Sequence, residues 1–320
     1  MEWLQVVVLI VVFAGLLLLG VPVAFAIGIG TVVTMLLAMA ADPALITVAQ
    51  RMATGLDSFA LLAIPFFILA GQIMNRGGIA RRLIDLAKAL IGMLPGGLAY
   101  VHILASMLFG AISGSAVAAA SAIGGVVGPR MVDEGYDRDF SAAVNISSAT
   151  TGLIIPPSNI LIVYSLASGG VSIGALFLAG YLPGLLVGLS LMAVSFVFAV
   201  RQRYPTAGGV RFGAALSACF SALPSLFLLV CFIGGSVGGV FTSTEAAAVA
   251  VLYSAVLAFL YGEITIRDLP KILLASVNTT AVVMLLIGTS TAMSWLLSYL
   301  NIPQSVGAAL LAMTDNHVVI

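Results

Sequence analysis

The residues of this sequence that could do chemistry carry neutral hydroxyl, amide and carbonyl groups, and they lie at two places. Ser113, Gly114 and Ser115 form the first, and the segment Pro156-Pro157-Ser158-Asn159, preceded by Thr151, forms the second. Neutral oxygens suit a hard monovalent cation that must bind and then leave. Helix N-termini after each place would add positive dipole ends for a carboxylate. We expect these residues to form an ion or substrate site; the alternative that the hydroxyls only join close-packed helices stays open.

The two prolines interrupt an apolar stretch, Phe140–Ala167. Each proline lacks an amide proton and forbids one helical hydrogen bond. Hydrocarbon does not tolerate unpaired carbonyls, so such a break persists only inside protein or beside a water-filled cavity. Many secondary transporters build their site for a substrate and a coupling ion from a helix broken at mid-membrane. Transport is therefore the first hypothesis.

The composition places the chain in a membrane. Of its 320 residues 62% are hydrophobic and 8% charged, whereas soluble domains have roughly 25% charged residues. Apolar runs near the ~20 residues that span a bilayer recur along the chain. The net charge is zero, which gives no support to a nucleic-acid partner. The segment from Trp3 to Leu19 lacks a basic n-region and reads as a retained span, so we predict an all-α integral membrane protein.

Eight apolar stretches are candidate crossings. They are Leu4–Leu19, Pro22–Ala40, Phe59–Met74, Phe140–Ala167 with its break, Ile173–Val200, Ala214–Ile233, Glu245–Tyr261 and Ser276–Leu297.

A different pattern lies between the third and fourth stretches. Leu98–Phe109 and Val117–Val127 are each too short to cross comfortably, and the small residues Gly110–Ala116 join them. This pattern predicts a re-entrant hairpin, which protein must surround at membrane depth. A single ordinary crossing with a GxxxG-like packing face is the alternative.

The basic residues predict the topology, because cytoplasmic loops are enriched in Lys and Arg. The remaining loops, 42–58, 168–172, 234–243 and 298–305, contain one basic residue, Arg51, and are predicted to face outside. This count closes only if the hairpin returns to its own side, and it places the N-terminus outside. The basic residues of the predicted cytoplasmic loops are Arg76, Arg81, Arg82, Lys88, Arg130, Arg138, Arg201, Arg203, Arg211, Arg267 and Lys271.

A weak internal repeat is also present. The first three stretches, followed by the amphipathic segment Ile79–Ile91, resemble the last three, followed by Ile302–Met313. Five crossings separate equivalent points, so the copies are inverted, as in many alternating-access transporters. We expect three regions: scaffold helices and an interfacial arm at 1–92, a transport region at 93–200, and an incomplete second repeat at 201–320.

Enzyme machinery is not predicted. The sequence has no Ser–His–Asp set, HExxH motif or phosphate-binding loop. His102 and His317 have no carboxylate or cysteine at ligand spacing, so we expect no cofactor and no metal apart from a coupling sodium ion, and His102 is expected to pack or hydrogen-bond between helices. Glu245 opens an apolar stretch and could relay protons, but with Thr242 it fits a helix-capping box, the favoured interpretation.

Four motifs together resemble one family: Phe109–Ala116, Gly135–Phe140, Ile154–Ser158 and Gly239–Ala247 are similar to the large membrane (permease) subunit of tripartite ATP-independent periplasmic (TRAP) transporters. The resemblance covers essentially the whole chain. It implies an elevator-type symporter of the bacterial inner membrane, usually driven by sodium, that takes up dicarboxylates and other small organic acids. It also implies two partners, a periplasmic substrate-binding protein and a small four-helix membrane subunit.

By this resemblance, the Ser113–Ser115 tip and the Pro156–Asn159 break carry the first sodium site and part of the substrate site. The family pattern continues with a second hairpin and a second proline-containing break, so this chain is expected to lack that C-terminal part. Two other functions remain open: a truncated, non-transporting scaffold or assembly subunit, and an intramembrane enzyme if two carboxylates or a histidine pair meet at mid-depth.

Overall fold

A computed structural model describes residues 2–206, 212–237 and 240–313; Arg211, Gly239 and His317, named above, lie outside this range. Apart from an isolated β-bridge between Pro95 and Thr206, regular structure in the described residues is helical. The α-helices are α1 (Glu2–Leu18), α2 (Val23–Ala38), α3 (Ala41–Leu56), α4 (Ala63–Arg76), α5 (Ile79–Ile91), α6 (Gly97–Ser113), α7 (Ala116–Asp133), α8 (Arg138–Ala149), α9 (Thr151–Ile154), α10 (Asn159–Ala167), α11 (Ile173–Gln202), α12 (Phe212–Val237), α13 (Ser243–Leu260), α14 (Leu269–Tyr299) and α15 (Ile302–Met313), with 3-10 turns at Phe59–Leu62 and Ile266–Asp268.

The prediction of an all-α membrane protein is confirmed. Every predicted crossing falls on helix, and α5 and α15 have the predicted bounds. Within the described residues, four helices are long and apolar enough to cross a bilayer, or five if the bent pair Arg138–Ile154 and Asn159–Ala167 is one span. Helices α1, α2 and α6 are apolar but shorter, so eight crossings remain a prediction. The four long candidates are Phe59–Arg76, Ile173–Gln202, Ser243–Leu260 and Ile266–Tyr299.

The prediction of a loop at 42–58 is wrong, because Ala41–Leu56 is the helix α3. Its first turn contains Asp42 and Pro43, and both residue types are favourable there. The helix is too polar to cross lipid, and it turns Ala44 and Val48 inward. Hydropathy alone therefore missed it: a helix that packs along the protein does not need an apolar run of bilayer length.

The chain divides into two compact units, Phe59–Asn278 and the pair Met1–Ser58 with Thr279–Ile320. In the described part of the second of these, the Arg51 guanidinium lies 5.2 Å from the centre of the Trp295 ring, and this unit has its own core. The buried core residues of this unit are Leu9, Met35, Ala44, Val48, Ala292, Leu296 and Leu300.

The predicted regions 1–92, 93–200 and 201–320 divide the chain by function and stay a prediction.

Helices α6 and α7 form a hairpin inside the larger unit. The residues 110–113, predicted as linker, continue α6, so this part of the prediction is corrected: only Gly114 and Ser115 separate the helices. Gly114 ends α6 at φ +62°, a conformation that favours glycine. His102 of α6 and Gly124 of α7 both lie against Asn145 of α8. The two arms therefore run side by side in opposite directions.

The two feet of the hairpin meet at one carbonyl. The amide of Gly96 donates to the carbonyl oxygen of Pro205 at 3.1 Å, and the Tyr136 hydroxyl donates to the same oxygen at 3.2 Å. The Tyr136 ring stacks on Tyr204, with centroids 4.4 Å apart. Burial raises the pKa of Tyr136 to about 12, so its hydroxyl keeps the proton that it donates. The hairpin thus enters and leaves the fold at the same end.

Helix α6 touches α9 through glycine. A Cβ on Gly110 would lie 2.3 Å from the Cα of Gly152, and a Cβ on Gly152 would lie 2.9 Å from the Cα of Gly110. Neither position can carry a side chain without moving the two backbones apart. This close approach brings the hairpin tip beside the proline break.

We expect both hairpin feet to be accessible from one face of the membrane. Exposed Met93 and Glu134 flank the feet, and each would be changed to Cys in a variant whose Cys219 and Cys231 are replaced by Ser. A membrane-impermeant maleimide should label Met93→Cys and Glu134→Cys from the same face. Val171→Cys, one broken span further on, should be labelled from the other face. Labelling of the two feet from opposite faces would contradict the hairpin topology.

Gly110→Ala should destabilise the protein by about 1–3 kcal/mol, because the added methyl overpacks a backbone contact. The matched control is Gly125→Ala on α7, where an added Cβ meets nothing within 4 Å. There alanine should be neutral or stabilising, since it is a better helix former than glycine. Thermal unfolding in detergent compares the variants, and equal melting temperatures would refute the contact.

Candidate functional site

The proline break bends one apolar span. Helices α8 and α9 lead into it, α10 leaves it at an angle of 51°, and a cis peptide bond joins Pro156 to Pro157. Pro157 has no proton for the carbonyl of Leu153, and the Ser158 hydroxyl donates to that oxygen instead. Ser158 also caps α10, because its Oγ accepts from the amide of Leu161 at 3.5 Å. The hydroxyl of Ser158, a residue of the break itself, thus stabilises the backbone on both sides of the break.

The hairpin tip and the break contact each other directly. The amide of Asn159 donates to the carbonyl oxygen of Gly114 at 3.5 Å. A Cβ on Gly114 would lie 2.5 Å from the carbonyl oxygen of Pro157 and 3.5 Å from the Cα of Ser158. Gly114 is therefore required both for its positive φ and for this approach. The two clusters that the sequence singled out separately lie together.

Four helix ends converge at this contact. Helices α6 and α9 end here, at Ser113 and Ile154, and helices α7 and α10 begin here, at Ala116 and Asn159. Helix C-termini present carbonyl oxygens and a partial negative charge, whereas N-termini present amides and a partial positive charge. The first pair suits a cation and the second a carboxylate. Both polarities are supplied without a charged side chain.

Several of the predicted hydroxyls also hold the local backbone. Ser115 is the N-cap of α7, with its Oγ accepting from the amide of Ala118 at 3.3 Å. The Thr151 hydroxyl donates to the carbonyl oxygen of Ser148 at 2.6 Å. Together with Ser158, these residues shape the two turns. Their loss would disturb helix starts as well as any ligand contact.

Two buried oxygens at the contact have no hydrogen-bond partner: Ser113 Oγ and Asn159 Oδ1. Ser113 has no solvent exposure, and its neighbour Gly114 accepts the bond from the amide of Asn159. Buried polar atoms without partners are uncommon in folded proteins, and each calls for an explanation. Ser113 is the last residue of α6 and Asn159 the first of α10, so the two oxygens lie in the two segments that meet here and have no protein partner that would compete with a cation.

A ridge of small residues on α11 supports the break. Glycines recur every four residues from Gly180 to Gly188. A Cβ on Gly180 would lie 2.5 Å from the carbonyl oxygen of Ile154, and one on Gly184 would lie 2.4 Å from Cγ1 of Ile155. Sequence reasoning missed this ridge, although the four-residue glycine spacing is a known signal of close helix packing in membranes.

Two other neighbours of the site were also not predicted. The Tyr181 hydroxyl donates to the carbonyl oxygen of Pro156 at 3.4 Å. On α4, a Cβ on Gly71 would lie 3.3 Å from the Cβ of Ser113. Both residues approach from helices outside the two motifs. No sequence signal links them to the tip or the break.

Thr242 and Glu245 form the reciprocal capping box at the start of α13. The Thr242 amide donates to Glu245 Oε2 at 2.8 Å, and the Glu245 amide donates to the Thr242 hydroxyl at 3.3 Å. Among the described residues, no group of three or more His, Cys, Asp or Glu side chains could hold a metal ion. The candidate site is therefore the neutral one at the tip and the break.

Comparison with known proteins gives the family. Residues 10–320 match the model of the tripartite ATP-independent periplasmic transporter DctM component. Over 315 residues, 98% of this chain and 72% of the relative, the chain is 52% identical to the Uncharacterized protein YgiK of Salmonella typhimurium.

Several relatives have names that state a substrate. The C4-dicarboxylate TRAP transporter large permease protein of Rhodobacter capsulatus is 37% identical over 91% of this chain and 69% of its own length. The sialic acid TRAP transporter large permease protein of Vibrio cholerae is 38% identical over 96% of this chain and 71% of its own length. The chain therefore belongs to the DctM component family of the tripartite ATP-independent periplasmic transporters, which are permeases and not enzymes.

Proposed function

We propose that this chain forms the transport pathway of a sodium-driven uptake system for small organic acids in the bacterial inner membrane, with its N-terminus in the periplasm. A periplasmic binding protein delivers the substrate, and a small four-helix membrane subunit completes the transporter. The substrates named for the relatives, C4-dicarboxylates and sialic acid, are both carboxylates, which supports this substrate class.

One observation carries the proposal: four helix ends meet where Ser113 Oγ and Asn159 Oδ1 lie buried without a hydrogen-bond partner. Carbonyl and neutral side-chain oxygens hold sodium weakly enough for release, as a transport cycle requires. The helix N-termini at Ala116 and Asn159 favour the substrate carboxylate. The ion and the substrate thus share one neutral site. Binding of either one favours binding of the other.

The site moves as part of a rigid body in this proposal. An elevator carries its site across the membrane between packed helices, and close-packed small residues suit such a body. The glycines from Gly180 to Gly188 pack closely on Ile154, Ile155 and Met107, and the contact between Gly110 and Gly152 joins the backbones of α6 and α9. Region 93–200 is therefore assigned as the transporting region.

Uptake of a radiolabelled organic acid tests the proposal. The chain would be reconstituted into liposomes with its small membrane subunit and its binding protein, with and without an inward sodium gradient. Gradient-dependent accumulation is expected. Intact assembly of the three components without uptake of any tested organic acid would favour the scaffold function instead.

Ser113→Ala should weaken sodium binding while leaving the fold intact. The Ser113 hydroxyl has no protein partner, so its removal breaks no internal hydrogen bond. Loss of one ligand should raise the sodium concentration for half-maximal thermal stabilisation by about fivefold or more. Ser276→Ala is the control: Ser276 is also buried, but its hydroxyl donates to the carbonyl oxygen of Ile272. Unchanged sodium dependence of Ser113→Ala would remove this residue from the site.

Replacing both Pro156 and Pro157 by Ala should abolish sodium stabilisation while preserving expression. The new amides can bond to the carbonyls of Gly152 and Leu153, which straightens the span and closes the turn. Interior prolines cost a helix ~3 kcal/mol each, so the span itself should form more readily. Pro224→Ala, which removes a proline inside α12, is the control and should keep the sodium effect. Equal stabilisation by sodium in the double variant and the wild type would show that the break is a passive kink.

A further inference from the structure

A line of polar and small residues faces inward along α6. His102, Ser106, Gly110 and Ser113 follow one another at intervals of four, four and three residues, so they share one face of the helix. The three side chains have no solvent exposure. Hydrogen bonding of such groups inside a membrane protein must come from neighbouring helices.

The partners of this line lie on α8 and α9. His102 Nε2 donates to Asn145 Oδ1 at 3.1 Å, and the Ser148 hydroxyl donates to Ser106 Oγ at 3.2 Å. The third contact is between the backbones of Gly110 and Gly152. We call these three contacts the α6–α8 ladder.

The ladder has a constant register. Partners differ by 43 residues at the first contact and by 42 at the second, so α6 and α8 run parallel and in step. The same step continues to the site, where Gly114 lies against the carbonyl of Pro157. A slip of one helical turn, about 5.4 Å, would carry the hairpin tip away from the break.

Two kinds of contact oppose such a slip. A slipped register would set Gly110 against a residue with a side chain, and there is no room for a Cβ between these backbones. It would also separate buried His102 from half-buried Asn145, leaving both polar groups unpaired, which is costly in a membrane interior. Gly124 of α7 lies against Asn145 as well. The side-chain amide of Asn145 is therefore in contact with both arms of the hairpin.

We propose that His102 and Asn145 are positioning residues, which set the register of α6 against α8 and thereby the geometry of the ion site about 17 Å further along α6. They touch neither ion nor substrate. The inference rests on the proposed function only for what the site binds; the register itself is independent of the ligand.

Three variants separate positioning from simple stability. His102→Leu removes the donor and leaves Asn145 unpaired. His102→Gln keeps a side-chain amide that can donate to Asn145. His102→Leu combined with Asn145→Ala removes both partners, a change that is often close to neutral for stability.

Two readouts are measured on the whole transporter in detergent. One is hydrogen–deuterium exchange of peptides covering 112–118 and 155–162, which include the bond from the Asn159 amide to Gly114. The other is the sodium concentration for half-maximal thermal stabilisation. In His102→Leu and in the double variant, exchange at the tip and break should be about fivefold faster and the sodium concentration at least about threefold higher. His102→Gln should resemble the wild type, and the double variant should recover the melting temperature measured without sodium.

A structural role alone predicts another pattern. Exchange would then change only near residues 102 and 145, or the double variant would recover sodium binding together with stability; either result overturns the proposal. If sodium does not stabilise the wild type, the proposed function fails, and exchange at the tip and break still decides whether the pair sets the register.

Discussion

Backbone that leaves the helical path inside a bilayer must find its hydrogen bonds within the protein, and the contact between the hairpin tip and the proline break meets that requirement. The carbonyl of Gly114, freed by the end of α6, accepts the first amide of α10 from Asn159. The Ser158 hydroxyl donates to the carbonyl oxygen of Leu153, for which Pro157 has no amide proton. Each irregular segment alone would expose unpaired groups to hydrocarbon. Side by side, each supplies what the other lacks.

The binding chemistry that we propose follows from the same arrangement. Interrupting a helix creates a C-terminus and an N-terminus at one point, and two interrupted elements that meet there supply both polarities twice. Glycines at 110, 114 and 152 let the backbones approach closely enough for these ends to share one small volume. Charged side chains, which would be expensive at this depth, are not needed. An ion held by neutral oxygens is also an ion that can be released.

The sequence predicts this fold well where local rules act. Apolar runs located the long helices, basic amphipathic patterning located α5, and two prolines located the break. It failed at Ala41–Leu56, because a helix that packs along the protein has no bilayer-length apolar run. It also ended α6 too early, since Gly110 reads as a turn residue until its contact with Gly152 is known. Contacts between distant segments, such as Tyr181 with Pro156, have no local signal. The residues of the candidate site and their association were thus predictable, but the contacts that bring the tip and the break together were not.

The carbonyl oxygen of Pro205 holds both feet of the hairpin at one point. Both feet of the hairpin are bonded to the chain segment that follows α11, one through the amide of Gly96 and the other through the hydroxyl of Tyr136. A displacement of one foot relative to the other would break one of these bonds, and at Tyr136 also the stacking on Tyr204. A displacement of the segment that follows α11 would instead move both feet together. The hairpin therefore has a fixed base, so any opening over the proposed site has to come from its tip or from another part of the transporter.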